Sequence, residues 1–81
     1  MSYTKIKSVE DLKSRCYNEM NDFFIYLGIG RSSKDIYYDS DLNKFEIHNN
    51  IDDTEQLLTE GELFTKSNIG EAITRGNFYK Y

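Results

Sequence analysis

Asp35-Ile36-Tyr37-Tyr38-Asp39-Ser40-Asp41-Leu42-Asn43-Lys44-Phe45-Glu46-Ile47-His48-Asn49 is the stretch that decides the fold. From Lys44 onward polar and apolar residues alternate, which places Phe45 and Ile47 on one side of a strand and Lys44, Glu46 and His48 on the other. Residues 35–38 are rich in β-branched and aromatic side chains, as strands are. Asp39, Ser40, Asp41, Leu42 and Asn43 between the two runs have the composition of a turn. Together they predict an antiparallel hairpin.

On the N-terminal side, residues 23–27 predict a central strand with Ile25, Leu27 and Ile29 on one face and Phe24 and Tyr26 on the other. Gly28 and Gly30 interrupt it, and residues 30–34 read as a polar loop. Val9, Leu12, Cys16 and Met20 recur at helical spacing, with Ser8 as N-cap, Asp11 three residues on, and Asn21 and Asp22 as the stop. On the C-terminal side, residues 50–53 read as a turn, and residues 54–58 as a fourth antiparallel strand, the favoured reading, or an extended approach to the next helix. Thr59-Glu60-Gly61-Glu62 is a capping box for a short helix carrying Leu63 and Phe64. Asn68 with Glu71 opens another helix with Ile69, Ala72 and Ile73 on its apolar edge and Gly76 at its left-handed end. Phe78 and Tyr81 are expected to dock on the body. The expected architecture is one α+β domain over residues 1–81: an N-terminal helix packed on a three- to four-stranded antiparallel β-meander, followed by two short C-terminal helices.

Composition narrows the class. Hydrophobic residues make up 38% of the chain, yet seven tyrosines and five phenylalanines supply large buried area per residue. Cys16 is the single cysteine, so no internal disulfide supports the core, which favours a reducing, cytoplasmic setting. The longest apolar run, residues 23–27, is far too short to span a bilayer. The net charge of −4 is unevenly spread: residues 1–34 carry six bases and four acids, residues 35–62 one base and nine acids, and residues 63–81 three bases and one acid. A central block of −8 opposes contact with nucleic-acid phosphates and favours a basic protein partner.

Several constellations stop short of chemistry. Asp39, Asp41 and Asn43 match the first three ligands of a calcium loop, but Lys44 stands where Gly is needed and Asn50 where a closing Glu is needed. Gly28-Ile29-Gly30-Arg31-Ser32-Ser33-Lys34 combines small residues, hydroxyls and two cations, the makings of an anion or partner contact through Arg31, Ser32, Ser33 and Lys34. Its spacing is that of neither a P-loop nor a dinucleotide fingerprint. Cys16 is expected inward and His48 outward, so no nucleophilic pair forms between them. Asp52, Asp53, Glu55, Glu60 and Glu62 read as a solvated acidic face. No catalytic residue, metal site or cofactor is expected.

Arg31-Ser32-Ser33-Lys34-Asp35-Ile36, Ile51-Asp52-Asp53-Thr54-Glu55-Gln56 and Asn68-Ile69-Gly70-Glu71-Ala72-Ile73 together resemble a group of small proteins carried by phages and mobile elements of bacteria. The resemblance covers roughly residues 23 to 81. It implies a bacterial or phage cytosolic setting and transfers no site residue.

These observations lead to the expectation of a small non-enzymatic protein-binding module. One instance is a phage or mobile-element inhibitor that meets a host nucleic-acid-handling protein through acidic side chains, Asp39, Asp41, Asp52, Asp53, Glu55, Glu60 and Glu62 among them. The alternative is a structural accessory subunit or homodimer, since a small core gains stability from association.

Overall fold

The computed structural model describes residues 2–81. In chain order the elements are β1 (Thr4–Lys5), α1 (Val9–Arg15), β2 (Asn21–Tyr26), β3 (Arg31–Asp39), β4 (Lys44–Asn49), β5 (Thr54–Leu58), α2 (Glu62–Thr65), α3 (Ile69–Arg75) and β6 (Phe78–Lys80). The strands form one antiparallel sheet in the order β1-β6-β2-β3-β4-β5. The meander expected from the sequence is present as β2 to β5, and two further strands extend it past β2.

Alternation decides what the sheet covers. Phe23 and Ile25 of β2, Ile36 and Tyr38 of β3, Phe45 and Ile47 of β4, Leu58 and Phe78 share one face through the strand registers. They form a single core with Leu12 and Cys16 of α1, Leu63 of α2 and Ile69, Ala72 and Ile73 of α3. All three helices therefore pack on the same side. Among the described residues no helix lies over the opposite face.

α1 starts as the sequence predicts: the Ser8 hydroxyl accepts from the Asp11 N–H at 3.0 Å, and the Asp11 carboxylate reaches back to the Lys7 N–H at 3.0 Å. It ends earlier than the apolar spacing predicts, because Cys16 leaves helical geometry and the chain pairs with β3. The Tyr38 N–H donates to the Cys16 carbonyl at 2.8 Å, and the Asn18 N–H donates to the Tyr38 carbonyl at 2.8 Å. Met20, expected on the buried helical stripe, is exposed, and the Asn21 amide caps the helix end by donating to the Arg15 carbonyl at 2.6 Å.

Residues 31–34 are strand, not loop. They pair residue for residue with β2, from Tyr26 opposite Arg31 to Phe23 opposite Lys34. Low β-propensity at Ser32, Ser33 and Lys34 is outweighed by ladder bonds to a central strand. The connection shrinks to residues 27–30, closed by the Leu27 N–H on the Gly30 carbonyl at 2.9 Å, with Gly28 at φ 88°, where a side chain would be strained. Leu27 and Ile29, expected to share a strand face with Ile25, consequently lie in this loop exposed to solvent.

The capping box before α2 forms reciprocally, Thr59 N–H to Glu62 Oε1 at 2.9 Å and Glu62 N–H to Thr59 Oγ1 at 3.3 Å. Ahead of α3 the expected capping side chain of Asn68 makes no cap bond; the Ser67 hydroxyl accepts from the Ile69 N–H at 3.2 Å instead. Gly76 takes the left-handed conformation at φ 75° and turns the chain into β6, which slots between β1 and β2.

Candidate functional site

Alternation also separates the two cations of the expected anion loop. Arg31 and Lys34 are three residues apart on one strand, so they project from opposite faces. No cradle joins them. Ser32 goes with Lys34 towards the helices, and Ser33 goes with Arg31 to the uncovered face.

On that uncovered face Arg31 caps an aromatic cluster. Its guanidinium lies 4.4 Å from the Tyr3 ring centroid, 4.6 Å from Phe24 and 5.6 Å from Tyr81, and it donates to the Tyr3 hydroxyl. Phe24 also stacks on Tyr79 at 5.3 Å. These contacts raise the Arg31 pKa, the Tyr3 hydrogen bond first and the Tyr81 hydroxyl next. Ser33 bonds the Tyr81 hydroxyl at 2.9 Å. The cluster seals Phe24 from water, so its groups are spent on folding.

The acidic block does not form one surface. Asp39 and Asp41 lie at the β3–β4 turn and Asp52 and Asp53 at the β4–β5 turn, so the length of β4, roughly 20 Å, separates them. Most are bound locally. Asp39 accepts the N–H groups of Asp41 and Leu42, Asp52 caps Thr54, Glu60 meets Lys13 at 3.4 Å, and Glu62 meets Lys66 at 3.3 Å. Glu55 and Glu46 flank His48 on the uncovered face, at 3.6 Å and 2.9 Å, and the Glu46 hydrogen bond followed by nearby carboxylate charge raises the imidazole pKa.

Cys16 is wholly buried on the helical side, its thiol on the Leu12 carbonyl at 3.2 Å, and burial pushes its pKa up to about 12. His48 projects from the other face, so the sheet stands between the two.

One concave region does gather residues from several elements. Where β3, the β4–β5 turn and the α2–α3 segment meet, a cleft of about 710 Å³ opens, with Ser32, Lys34, Asn49 and Gln56 among its lining on the sheet and Phe64, Lys66 and Asn68 on the helical side. A second depression of about 390 Å³ continues it past Ser32 and Ile51 towards Leu27 and Asn77. Gln56 ties the sheet to the helices by donating to the Lys66 carbonyl at 2.8 Å. Lys34 Nζ donates to Asn49 Oδ1 at 2.6 Å. Burial lowers the Lys34 pKa, and the charge of Asp52 partly opposes that shift.

The rim is apolar. Leu27, Ile51 and Phe64 are 57%, 70% and 53% exposed. Phe64 is held there by α3: its ring lies over Gly70, where any Cβ would collide with it. Of the residues singled out from the sequence, Ser32, Lys34 and Asp52 line this cleft and Asp53 sits on the adjoining turn. Arg31, Ser33 and Glu55 face the other way, and Asp39, Asp41, Glu60 and Glu62 belong elsewhere. Sequence reasoning missed Asn49, Ile51, Gln56, Phe64 and Asn68. The available signals were Ile51 inside a polar turn and Phe64 beside an already apolar Leu63.

No protein-family model, curated protein or solved structure matches the chain.

Proposed function

We propose that this chain is a small non-enzymatic protein-binding module, of phage or mobile-element origin, that engages its partner at the end where the β2–β3 loop, the β4–β5 turn and the α2–α3 segment meet. The observation that carries this is exposed Ile51 and Phe64 on a polar-floored cleft, with exposed Leu27 on the depression that continues it. Apolar anchors beside a few oriented polar groups are how protein interfaces concentrate affinity. Asp52 and Glu71 on the cleft lining, with Asp53 on the adjoining turn, support a basic partner, of which a host nucleic-acid-handling protein is one class. Separation of Cys16 from His48 and dispersal of the carboxylates favour binding over catalysis.

The test is affinity capture from a bacterial lysate at two salt concentrations, with Ile51→Asp and Phe64→Ser beside the unaltered protein. A partner held at low salt, weakened at high salt and lost with the rim substitutions supports the proposal. Leu42→Asp, at the far β3–β4 turn, serves as the control. Capture that is lost with Leu42→Asp but survives both rim changes sinks it.

A further inference from the structure

β5 is the outer strand on one side of the sheet, and no backbone hydrogen bond from another element reaches its free edge. β1, at the other margin, is only two residues long and offers little to pair with. β5 has five residues, Thr54, Glu55 and Leu57 among them exposed; Glu55 is its one charged side chain, a guard that only a cationic partner strand would neutralise, and it carries no proline, lysine or bulge. The cleft lies along its helical side through Thr54 and Gln56.

From this we infer that β5 receives an extended, basic segment of the partner as a seventh strand. The inference rests on the protein-binding proposal and adds how the partner is held. Ladder hydrogen bonds to the β5 backbone supply sequence-independent affinity, and alternate side chains supply selection. On the uncovered face an incoming strand meets Glu55, its side chain 70% exposed and backed by Glu46 across His48, and then Leu57, 47% exposed. A Lys or Arg opposite Glu55 and an apolar residue opposite Leu57 complete that face. Asp52 and Asp53 stand at the turn that leads into the strand. A second copy of this chain is disfavoured as the occupant, because it brings its own Glu55, Asp52 and Asp53 and no lysine or arginine of its own β5 to the same edge.

The experiment uses the whole protein, labelled for NMR, with the acetylated and amidated peptide Lys-Thr-Val-Thr-Lys as probe, whose Lys and central Val share one face two residues apart, as Glu55 and Leu57 do. Amide shifts and slowed exchange centred on Thr54–Leu58 are expected, with affinity about tenfold weaker for Glu55→Lys, an opposite-charge pair turned like-charge. The same peptide N-methylated at every residue, so that neither edge can pair, should not bind, and Glu-Thr-Val-Thr-Glu should not bind either. Shifts centred on the aromatic face, equal binding of the N-methylated peptide, or concentration-dependent protection of β5 without peptide each overturn the inference. A partner captured through the cleft rim yet indifferent to Glu55→Lys overturns strand pairing while leaving the binding module standing.

Discussion

The Arg31 guanidinium lies 4.6 Å from the centroid of the Phe24 ring, and Phe24 is only 2% exposed although no helix covers its side of the sheet. Tyr3 and Tyr81, from opposite ends of the chain, complete the cover. Phe24→Ala should lower stability by about 3–5 kcal/mol, as for other buried phenylalanines. Arg31→Lys keeps the charge but loses the flat, forked group, so it should lower the melting temperature and weaken the tyrosine near-ultraviolet circular dichroism. An Arg31→Lys protein with unchanged signal and melting temperature would show that the rings pack without the guanidinium.

Titration should place the stability maximum at mildly acidic pH. The Asp22 pKa is raised above 3.8, first by its hydrogen bond to Asp35, and the His48 pKa is raised above 6.5 by Glu46 and its neighbours. Each contributes stability that is complete below those ordinary values and is lost as pH rises through the folded-state pKa. Asp11, Asp52 and Glu62 have lowered pKa values, so their contributions disappear as pH falls below about 4. Urea midpoints measured from pH 3 to 9 should peak between these limits. Asp22→Asn should flatten the decline on the acidic-to-neutral side, and His48→Gln the decline above it.

Cys16 should resist alkylation. With the thiol fully buried and its pKa near 12, iodoacetamide at pH 8 should modify the native protein only as fast as it opens, and the denatured protein at the ordinary thiol rate. Above pH 9 the unfolded thiol ionises while the folded one keeps its proton, so stability should fall as pH rises further. Rapid labelling of native protein at pH 8 would contradict the burial of α1 against the sheet.

Gly70→Ala should disturb the cleft without breaking α3. The added methyl meets the Phe64 ring, so the ring must swing away, at a penalty of roughly 1–3 kcal/mol. In the Phe64→Ala background the same change should be neutral or stabilising by about 0.5–1 kcal/mol, since alanine favours the helix. A double-mutant cycle of thermal midpoints measures the coupling, and additive effects would place Phe64 elsewhere.

The hairpin, the strand of residues 54–58, the box at Thr59 and Glu62 and the left-handed Gly76 were legible because each has a local cause: alternation, a reciprocal cap, or a φ that suits glycine. Residues 31–34 were not, because their strand state comes from β2 beside them rather than from their own composition. The end of α1 was misjudged for a similar reason, as Met20 continues the apolar spacing while Tyr38 draws Cys16 and Asn18 into backbone pairing. β1 and β6 are two and three residues long, too short for a periodic signal, and their pairing joins positions more than seventy residues apart. For the site, Ser32, Lys34 and Asp52 were named from composition, but their meeting depends on α2 and α3 folding back over the sheet.

β6 lies inside the sheet, between β1 and β2. During synthesis the β2–β5 meander can assemble from neighbours in sequence, but β1 waits for residues 78–80 before it has any partner. Until then β2 presents an open margin, and the nascent chain is most prone to mispairing with other chains in that interval.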